Sequence, residues 1–402
     1  MSSILTDGAA PIRVAVIITR FTAGAGGVAL RGAEALDRSR FVPTIFTSKG
    51  GALASRARDE GIEVVDLDHM SAQIAPMEDR RGVSELTTHL RAGDFDLVHT
   101  HSAKAGAIGR LSARRAGVEG VVHTFHGFPF HPFQSTIRRQ AYIAVERRLG
   151  RITDHFLAVG AEVAADAIRL KIAAPERITV IDSAVEPGGI LTTKRARLWA
   201  RRVLRVPPGM QVVGTVGRVD EQKAPLDMID AIARLGRDDV YLVWIGSGPL
   251  LSRAKEFSVR KGLERQVAFV GESDAVVELL PAFDVFAMSS LYEGIPCSAV
   301  EAIVAGIPIV ATAVNAVPEI VVPGKCGLLA RPRDPASLAS ALKFLLDHPE
   351  RAQSMATSAR AHIAGRFHPE GLGADLVLAY GSALDRTLQE PQQPKADNRE
   401  AV

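Results

Sequence analysis

Residues Glu293 to Thr312 read EGIPCSAVEAIVAGIPIVAT. The pattern predicts a loop, a short helix from about Ser298 to Ala305, a stop at Gly306 and a buried strand from Ile307 to Ala311. That is one helix-to-strand step of a doubly wound α/β domain, a fold that binds ligands in the crevice at its strand ends. Glu293 falls in the loop and Glu301 in the first turn of the helix, which lets both carboxylates face that crevice. A helix N-terminus there adds free N–H groups and partial positive charge, suited to a phosphate. Carboxylates beside an anion site fit a ligand with both hydroxyls and phosphates, such as a nucleotide-sugar. The competing reading is a capping box, Ser298 with Glu301 three residues on, in which the carboxylate serves only its own helix.

Two further stretches share this logic. GRVDEQKAPLDMIDAI starts at Gly217, follows a predicted strand and precedes a helix, which leaves Arg218 and Lys223 on a strand-exit loop. WIGSGPL, Trp244 to Leu250, is another strand end that breaks into a glycine turn at Gly246 and Gly248. Together the three stretches resemble the retaining GT-B glycosyltransferases of the "glycosyl transferases group 1" family, where a Glu, seven residues and a Glu follow a G-R-x(4)-K loop and an I-G-x-G-P turn. The resemblance runs from about Arg13 to Arg386. It implies two Rossmann-like domains facing a central cleft.

Length and composition agree with that division. At 402 residues the chain is too long for one ordinary core. Its 47% hydrophobic and 23% charged residues are those of a globular protein. No apolar run approaches a membrane span, and residues 1–11 lack the pattern of a signal peptide, so a cytoplasmic location is expected. The two cysteines, Cys297 and Cys326, make neither a disulfide framework nor a metal site. A net charge of +3 gives no reason to expect nucleic acid. It is uneven, however: His101 to Arg151 holds nine Lys or Arg against two acids, a patch suited to peripheral contact with anionic lipid.

In chain order, the first predicted strand, Arg13 to Thr19, runs into the glycine loop TAGAGGVA. Gly24, Gly26 and Ala29 meet the loose dinucleotide pattern, but the second strand, Phe41 to Thr47, ends in Ser48 and Lys49 rather than the acid that would hold an NAD ribose. Strands then alternate with helices at Ile62 to Asp66, Asp96 to Thr100, Gly120 to Thr124, His155 to Val159 and Ile178 to Ile181, which predicts a mostly parallel sheet. The triplets Asp66-Leu67-Asp68 and Asp94-Phe95-Asp96 flank strands and read as turn residues rather than metal ligands. The helix predicted for Gln134 to Gly150 places Ile137, Ala141, Val145 and Leu149 on one face, expected to pack on the core. Thr193 to Arg205 carries six basic residues and no acid, and reads as an interdomain helix. These features divide the chain into an N-terminal domain over 1–190, a C-terminal domain over 191–368, a final helix over 369–386 that crosses back, and a polar tail over 389–402 expected to be disordered.

The resemblance also assigns roles. It implies donor contacts from Gly26, Gly27, Gly217, Gly246, Gly248, Val270, Gly294, Cys297, Ser298 and Glu301, with Glu301 on the ribose and Glu293 on the sugar. Arg218 and Lys223 would neutralise the departing diphosphate without a metal or other cofactor. HTHSAKAGAIGR and HTFHGFPFHPF look like segments of bacterial exopolysaccharide, capsule and O-antigen transferases. On that likeness His126 reaches the donated sugar, and Lys104 and Phe128 meet the acceptor. The implied reaction moves a hexosyl or N-acetylhexosaminyl group from a UDP-linked donor to a glycan or lipid-linked acceptor. The alternatives are a nucleotide-sugar epimerase of the same fold and, from the glycine loop at Gly24 to Ala29, an NADP-dependent oxidoreductase.

Overall fold

The computed structural model describes residues 10–22, 24–51, 53–71, 73–131, 133–183, 185 and 193–385. The tail over 389–402, most of the boundary near 188–193 and the end of the final helix at 386 lie outside the described residues.

Two sheets carry the chain, and every ladder between their strands is parallel. The first has seven strands: β1 Ile12–Ile18, β2 Phe41–Ser48, β3 Glu63–Leu67, β4 Leu97–His101, β5 Gly120–Phe125, β6 His155–Ala158 and β7 Ile178–Val180, in the order β3-β2-β1-β4-β5-β6-β7. The second has six: β8 Gln211–Val216, β9 Val240–Ile245, β10 Val267–Gly271, β11 Val285–Met288, β12 Ile309–Thr312 and β13 Leu328–Ala330, in the order β10-β9-β8-β11-β12-β13. In both, the order reverses at the first strand of the sheet, and the loops leaving β1 and β8 open at that switch point. Continuous apolar runs such as Val14 to Ile18 are the mark of strands covered on both faces.

Most differences from the sequence expectations are shifts of one or two residues, and β13 was not foreseen. Strand β12 begins at Ile309 rather than Ile307 because Pro308 has no N–H for a ladder; its carbonyl instead accepts from Phe286 N. The helix Lys194–Val203 lies on the second sheet's side rather than between domains. Arg197 and Arg201 both pair with Asp284, each at 2.5 Å, and Ala200 enters the core beneath. The C-terminal helix Pro369–Ala383 packs on the first sheet, with Leu372, Leu376, Val377 and Tyr380 in its core.

The helix Thr136–Gly150 corrects a prediction. Its buried residues are Ile143, Glu146, Leu149 and Gly150, while Ile137 is 86% and Val145 51% exposed. The physical reason is an ion pair: Arg110, from the helix Ala103–Ala116, is fully buried and donates to Glu146 at 2.8 Å. A buried guanidinium requires its carboxylate, and that requirement turns the helix away from its apolar stripe. Removing one partner strands the other. Glu146→Ala is therefore expected to lower stability by about 3–5 kcal/mol, whereas the double change Arg110→Met with Glu146→Leu should recover most of the loss. Urea unfolding of the three proteins checks this, and equal losses in the single and double variants would contradict it.

Candidate active site

The C-terminal half of the site is a loop held against a helix start. Leaving β8, the chain turns at Gly217, whose N–H donates to Ile245 O and whose carbonyl accepts from Trp244 Nε1 at 2.8 Å. Gly246, with φ of 140°, follows β9, and a Cβ there would lie 2.1 Å from Gly217 O; one on Gly248 would lie 2.5 Å from Val219 O. These two glycines are thus required by the close approach of two strand-exit turns. Val270 sits on the bulged end of β10 and is 40% exposed.

The loop then delivers two cations to different surroundings. Arg218 stays over half exposed, with Asp220 at 3.3 Å. Lys223 is largely buried and donates to Glu293 Oε1 at 2.5 Å. Glu293 is only 7% exposed; its other oxygen accepts from Gln222 Nε2 at 3.3 Å, and its N–H donates to Asn315 Oδ1 at 3.0 Å. Ser289 fixes the loop by donating to the carbonyls of Lys223 and Ala224. The cation expected at the phosphate and the carboxylate expected at the sugar are therefore one buried pair.

Next to this pair begins the helix Cys297–Val304. Its cap position is Pro296 and no side chain caps it, so the Ser298 capping box does not form. Ser298 Oγ donates to Val216 O at 3.2 Å, which ties the helix start to the end of β8. The first N–H groups and the dipole's positive end thus remain turned to the crevice with Lys223 and Arg218. Cys297 packs against the cores of both domains. Burial pushes its thiol up to about 11, with Arg31, Glu301 and Lys223 the charges that act on it. Glu301 is half-buried one turn into the helix.

The N-terminal half meets it closely. A Cβ on Gly26 would lie 3.1 Å from Arg20 O, and one on Gly27 would lie 3.1 Å from the Arg31 guanidinium. Arg31, from the helix Ala25–Ala35, escaped the sequence reading; its position four residues after Gly27, one turn along a helix, was the available signal. After β5 comes His126, and a Cβ on Gly294 would approach His126 O to 2.4 Å, so only glycine permits this contact. Further along the seam, His131 stacks on Tyr292 with centroids 4.2 Å apart. Phe128 stacks on Phe130 at 4.7 Å and lines a cavity of about 260 Å³ that also touches Gly127 and Glu293. Lys104 is not brought to this cavity: its ammonium pairs with Asp79 at 2.7 Å and also donates to Gln73 O. Asp66 and Asp68 pair with Arg58 and Lys49, and Asp96 accepts from Arg13 N, so both aspartate triplets serve strands and turns.

Three further histidines, His101, His99 and His123, lie buried behind His126. His126 Nε2 and His101 Nδ1 share a hydrogen bond of 2.9 Å, His101 lies 4.2 Å from the His99 ring, and His99 Nδ1 bonds the Tyr380 hydroxyl at 2.8 Å. His123 Nδ1 bonds Thr100 Oγ1 at 2.8 Å. Burial holds all four neutral, with His126 pushed down to about 4, His99 to about 3, and His101 and His123 well below the usual imidazole range.

Comparison with known proteins agrees with this fold. The description "Glycosyl transferases group 1" matches residues 199–362 and "Glycosyltransferase Family 4" residues 22–188. A D-inositol 3-phosphate glycosyltransferase of Nocardia farcinica is 30% identical over 85% of this chain and 78% of its own length. The chain belongs to the glycosyl transferases group 1 family. An Escherichia coli UDP-Gal:alpha-D-GlcNAc-diphosphoundecaprenol alpha-1,3-galactosyltransferase is 27% identical over 73% of this chain and 76% of its own length. Among solved structures, Anabaena Alr3699/HepE in complex with UDP and glucose superposes with a TM-score of 0.81 at 20% identity, covering 92% of this chain and all of that one. The fold is GT-B and the protein is a glycosyltransferase.

The histidine stack gives this glycosyltransferase a pH signature. Each folded pKa lies below the unfolded value near 6.5, so the stabilisation is complete above about pH 6.5 and is lost as pH falls towards the folded values. Asp375, raised by burial to about 6, acts in the opposite sense and offsets about one proton. Between pH 6.5 and 5, unfolding free energy should fall by more than about 1.4 kcal/mol per pH unit, the slope for a single proton. Urea midpoints across that range test this, and a flat profile would mean that the rings are charged or exposed.

Proposed function

We propose that this glycosyltransferase moves a sugar from a UDP-linked donor to a glycan or lipid-linked acceptor in bacterial surface polysaccharide synthesis, with retention at the anomeric carbon and without a metal. The observation that carries the reading is the buried Lys223–Glu293 pair at the uncapped start of the helix Cys297–Val304. A diphosphate at the helix start meets Lys223, Arg218 and the N–H groups of Cys297 and Ser298; a sugar beside it meets Glu293 and His126. As the sugar–phosphate bond loosens, negative charge grows on the diphosphate, and fixed cations stabilise it most at that moment. His126, neutral and bonded to His101, orients the sugar rather than removing a proton. The acceptor oxygen bonds to the anomeric carbon on the face the leaving phosphate vacates, and that phosphate takes the acceptor's proton. Support for the donor and acceptor comes from the relatives: UDP and glucose in the Anabaena structure, UDP-galactose and a diphosphoundecaprenol in the name of the E. coli enzyme.

The two glutamates separate the steps. Glu301→Gln should weaken UDP binding about 10- to 150-fold, the range for a charge-assisted hydrogen bond of roughly 1.5–3 kcal/mol. Glu293→Gln should reduce transfer by a similar factor yet leave UDP affinity equal or tighter, because Lys223 is then released towards phosphate. Calorimetry with UDP, alongside transfer assays in EDTA, measures both. Equal loss of UDP affinity in the two variants, or no transfer in EDTA until Mg²⁺ is restored, would contradict the assignment.

Membrane contact belongs to the same proposal. Phe133 (44% exposed), Ile137 and Val145 stand beside Arg138, Arg147 and Arg148 on the exposed side of the helix Thr136–Gly150 and the loop before it. Among the described residues, no helix is long and apolar enough to cross a membrane. Salt-sensitive flotation with anionic vesicles is expected, since charges are screened over about 8 Å at physiological salt. Equal recovery with neutral vesicles would remove the electrostatic contribution.

A further inference from the structure

The cavity of about 260 Å³ at the domain seam shares Glu293 and Gly127 with the proposed sugar site, but neither Arg218, Lys223 nor the start of the helix Cys297–Val304 lines it. It therefore leads away from the catalytic centre on a side the diphosphate does not use. Its walls are chemically mixed. Phe128, with Phe130 behind it, and the stacked His131–Tyr292 pair offer flat apolar faces of the kind that pack on a sugar ring. The cations are Arg139 and Arg169, and the acids other than Glu293 are Glu162 and Asp166.

Ion pairing decides which charge is available. Arg169 and Asp166 pair with each other, and Glu293 is held by Lys223. Glu162 belongs to the exposed first turn of the helix Ala161–Arg169, and its N–H donates to Glu319. Arg139 differs: among the described residues its guanidinium has neither an ion pair nor a hydrogen bond, and its Nε is buried without a partner. Buried polar atoms are nearly always satisfied, so such an atom in a cavity wall calls for a ligand group. A planar guanidinium is matched in charge and shape by an oxyanion with two adjacent oxygens, a phosphate or a carboxylate.

We infer that this cavity is the acceptor subsite and that Arg139 binds an oxyanion carried by the acceptor next to the sugar that Phe128 and the His131–Tyr292 pair embrace. The inference rests on the glycosyl-transfer reading above and adds to it the charge of the second substrate. One oxyanion chemistry has two sources here, a phosphate linking the acceptor sugar to a carrier and the carboxylate of an acidic sugar. In both, the acceptor hydroxyl enters at Glu293 and Gly127 while the charge stays at Arg139, so the fork sets which end of the acceptor faces the donor.

The test is calorimetry on the full chain saturated with UDP, which occupies the diphosphate site. The probes are glucose 1-phosphate, methyl glucuronide and neutral methyl glucoside. At least one anionic probe should bind tenfold or more tighter than the neutral one, and Arg139→Gln should erase that margin while its melting curve and UDP affinity stay at parental values. Preference for glucose 1-phosphate identifies a phosphate-linked acceptor, and preference for methyl glucuronide an acidic glycan. Arg139→Lys, which keeps the charge but not the fork, should retain part of the margin. Equal binding of all three probes to the parent, or an anion preference that survives in Arg139→Gln, overturns the inference. A failure to bind UDP at all would instead strike the donor reading and is seen before any probe is added.

Discussion

Burying a carboxylate to 7% exposure is costly unless it is paired, and the partner of Glu293 is Lys223, seventy residues earlier in the chain. Much of the second domain is arranged around this requirement. It draws the β8 exit loop over the end of β11, where Ser289 and Leu291 bond the carbonyls of Lys223, Ala224 and Gln222. It also fixes Glu293 at the mouth of the helix Cys297–Val304, because the chain between them has room only for the turn at Gly294 to Pro296. A lysine tied to a carboxylate is a restrained cation. On the proposed reading a diphosphate would join Glu293 as a second counter-charge of Lys223 without moving the loop, which keeps the reorganisation cost of the charge-separating step small.

The first domain meets this pair through contacts that tolerate almost no side-chain volume. Gly294 lies under His126 O, Gly160 faces Ala316, and the Glu319 carboxylate accepts from the N–H groups of Ala161 and Glu162, both at 3.0 Å. That last contact places a negative charge from the second domain at the positive end of a first-domain helix. The domains therefore touch at two backbone seams with the cavity between them. His126 reaches the cleft at one seam and is anchored by His101, which stacks on His99 and so connects to Tyr380 of the C-terminal helix. A neutral imidazole held by another neutral imidazole has its single ring proton placed by its neighbour. Crossing of that helix onto the first sheet thus contributes to the orientation of the imidazole proposed to face the sugar.

What the sequence revealed follows from the range over which each feature acts. Gly217, Gly246, Gly294 and the run from Ile309 to Thr312 are local: a turn and a strand write themselves into consecutive residues, so the fold and the lips of the cleft were legible. Arg218 and Lys223 were placed on the right loop for the same reason. Pairings across long separations were not legible. Nothing in the sequence joins Lys223 to Glu293, Arg110 to Glu146 or Lys104 to Asp79, and each pairing changed a reading. Lys104 was drawn away from the cavity, and the helix Thr136–Gly150 was turned so that Ile137 and Val145 face outward while Leu149 of the same stripe stays buried. Arg31 was missed because its charge acts on Cys297, in a domain that begins far downstream.

The turned helix shows how one buried pair propagates to the surface. Because Glu146 must reach Arg110, the stripe of Ile137 and Val145 turns outward, and Arg139 turns with the same helix towards the seam. Had the apolar stripe packed inward, its 3.6-residue period would have carried Arg139 away from the cavity. The pair contributes little net stability by itself, since desolvation offsets most of its attraction. Its consequence is directional: a fixed helix rotation places an unpaired guanidinium at the cavity and leaves apolar side chains with arginines on the opposite, exposed side. Cavity chemistry and surface chemistry are thus set by a single interaction that touches neither, and a change at Glu146 would disturb both at once.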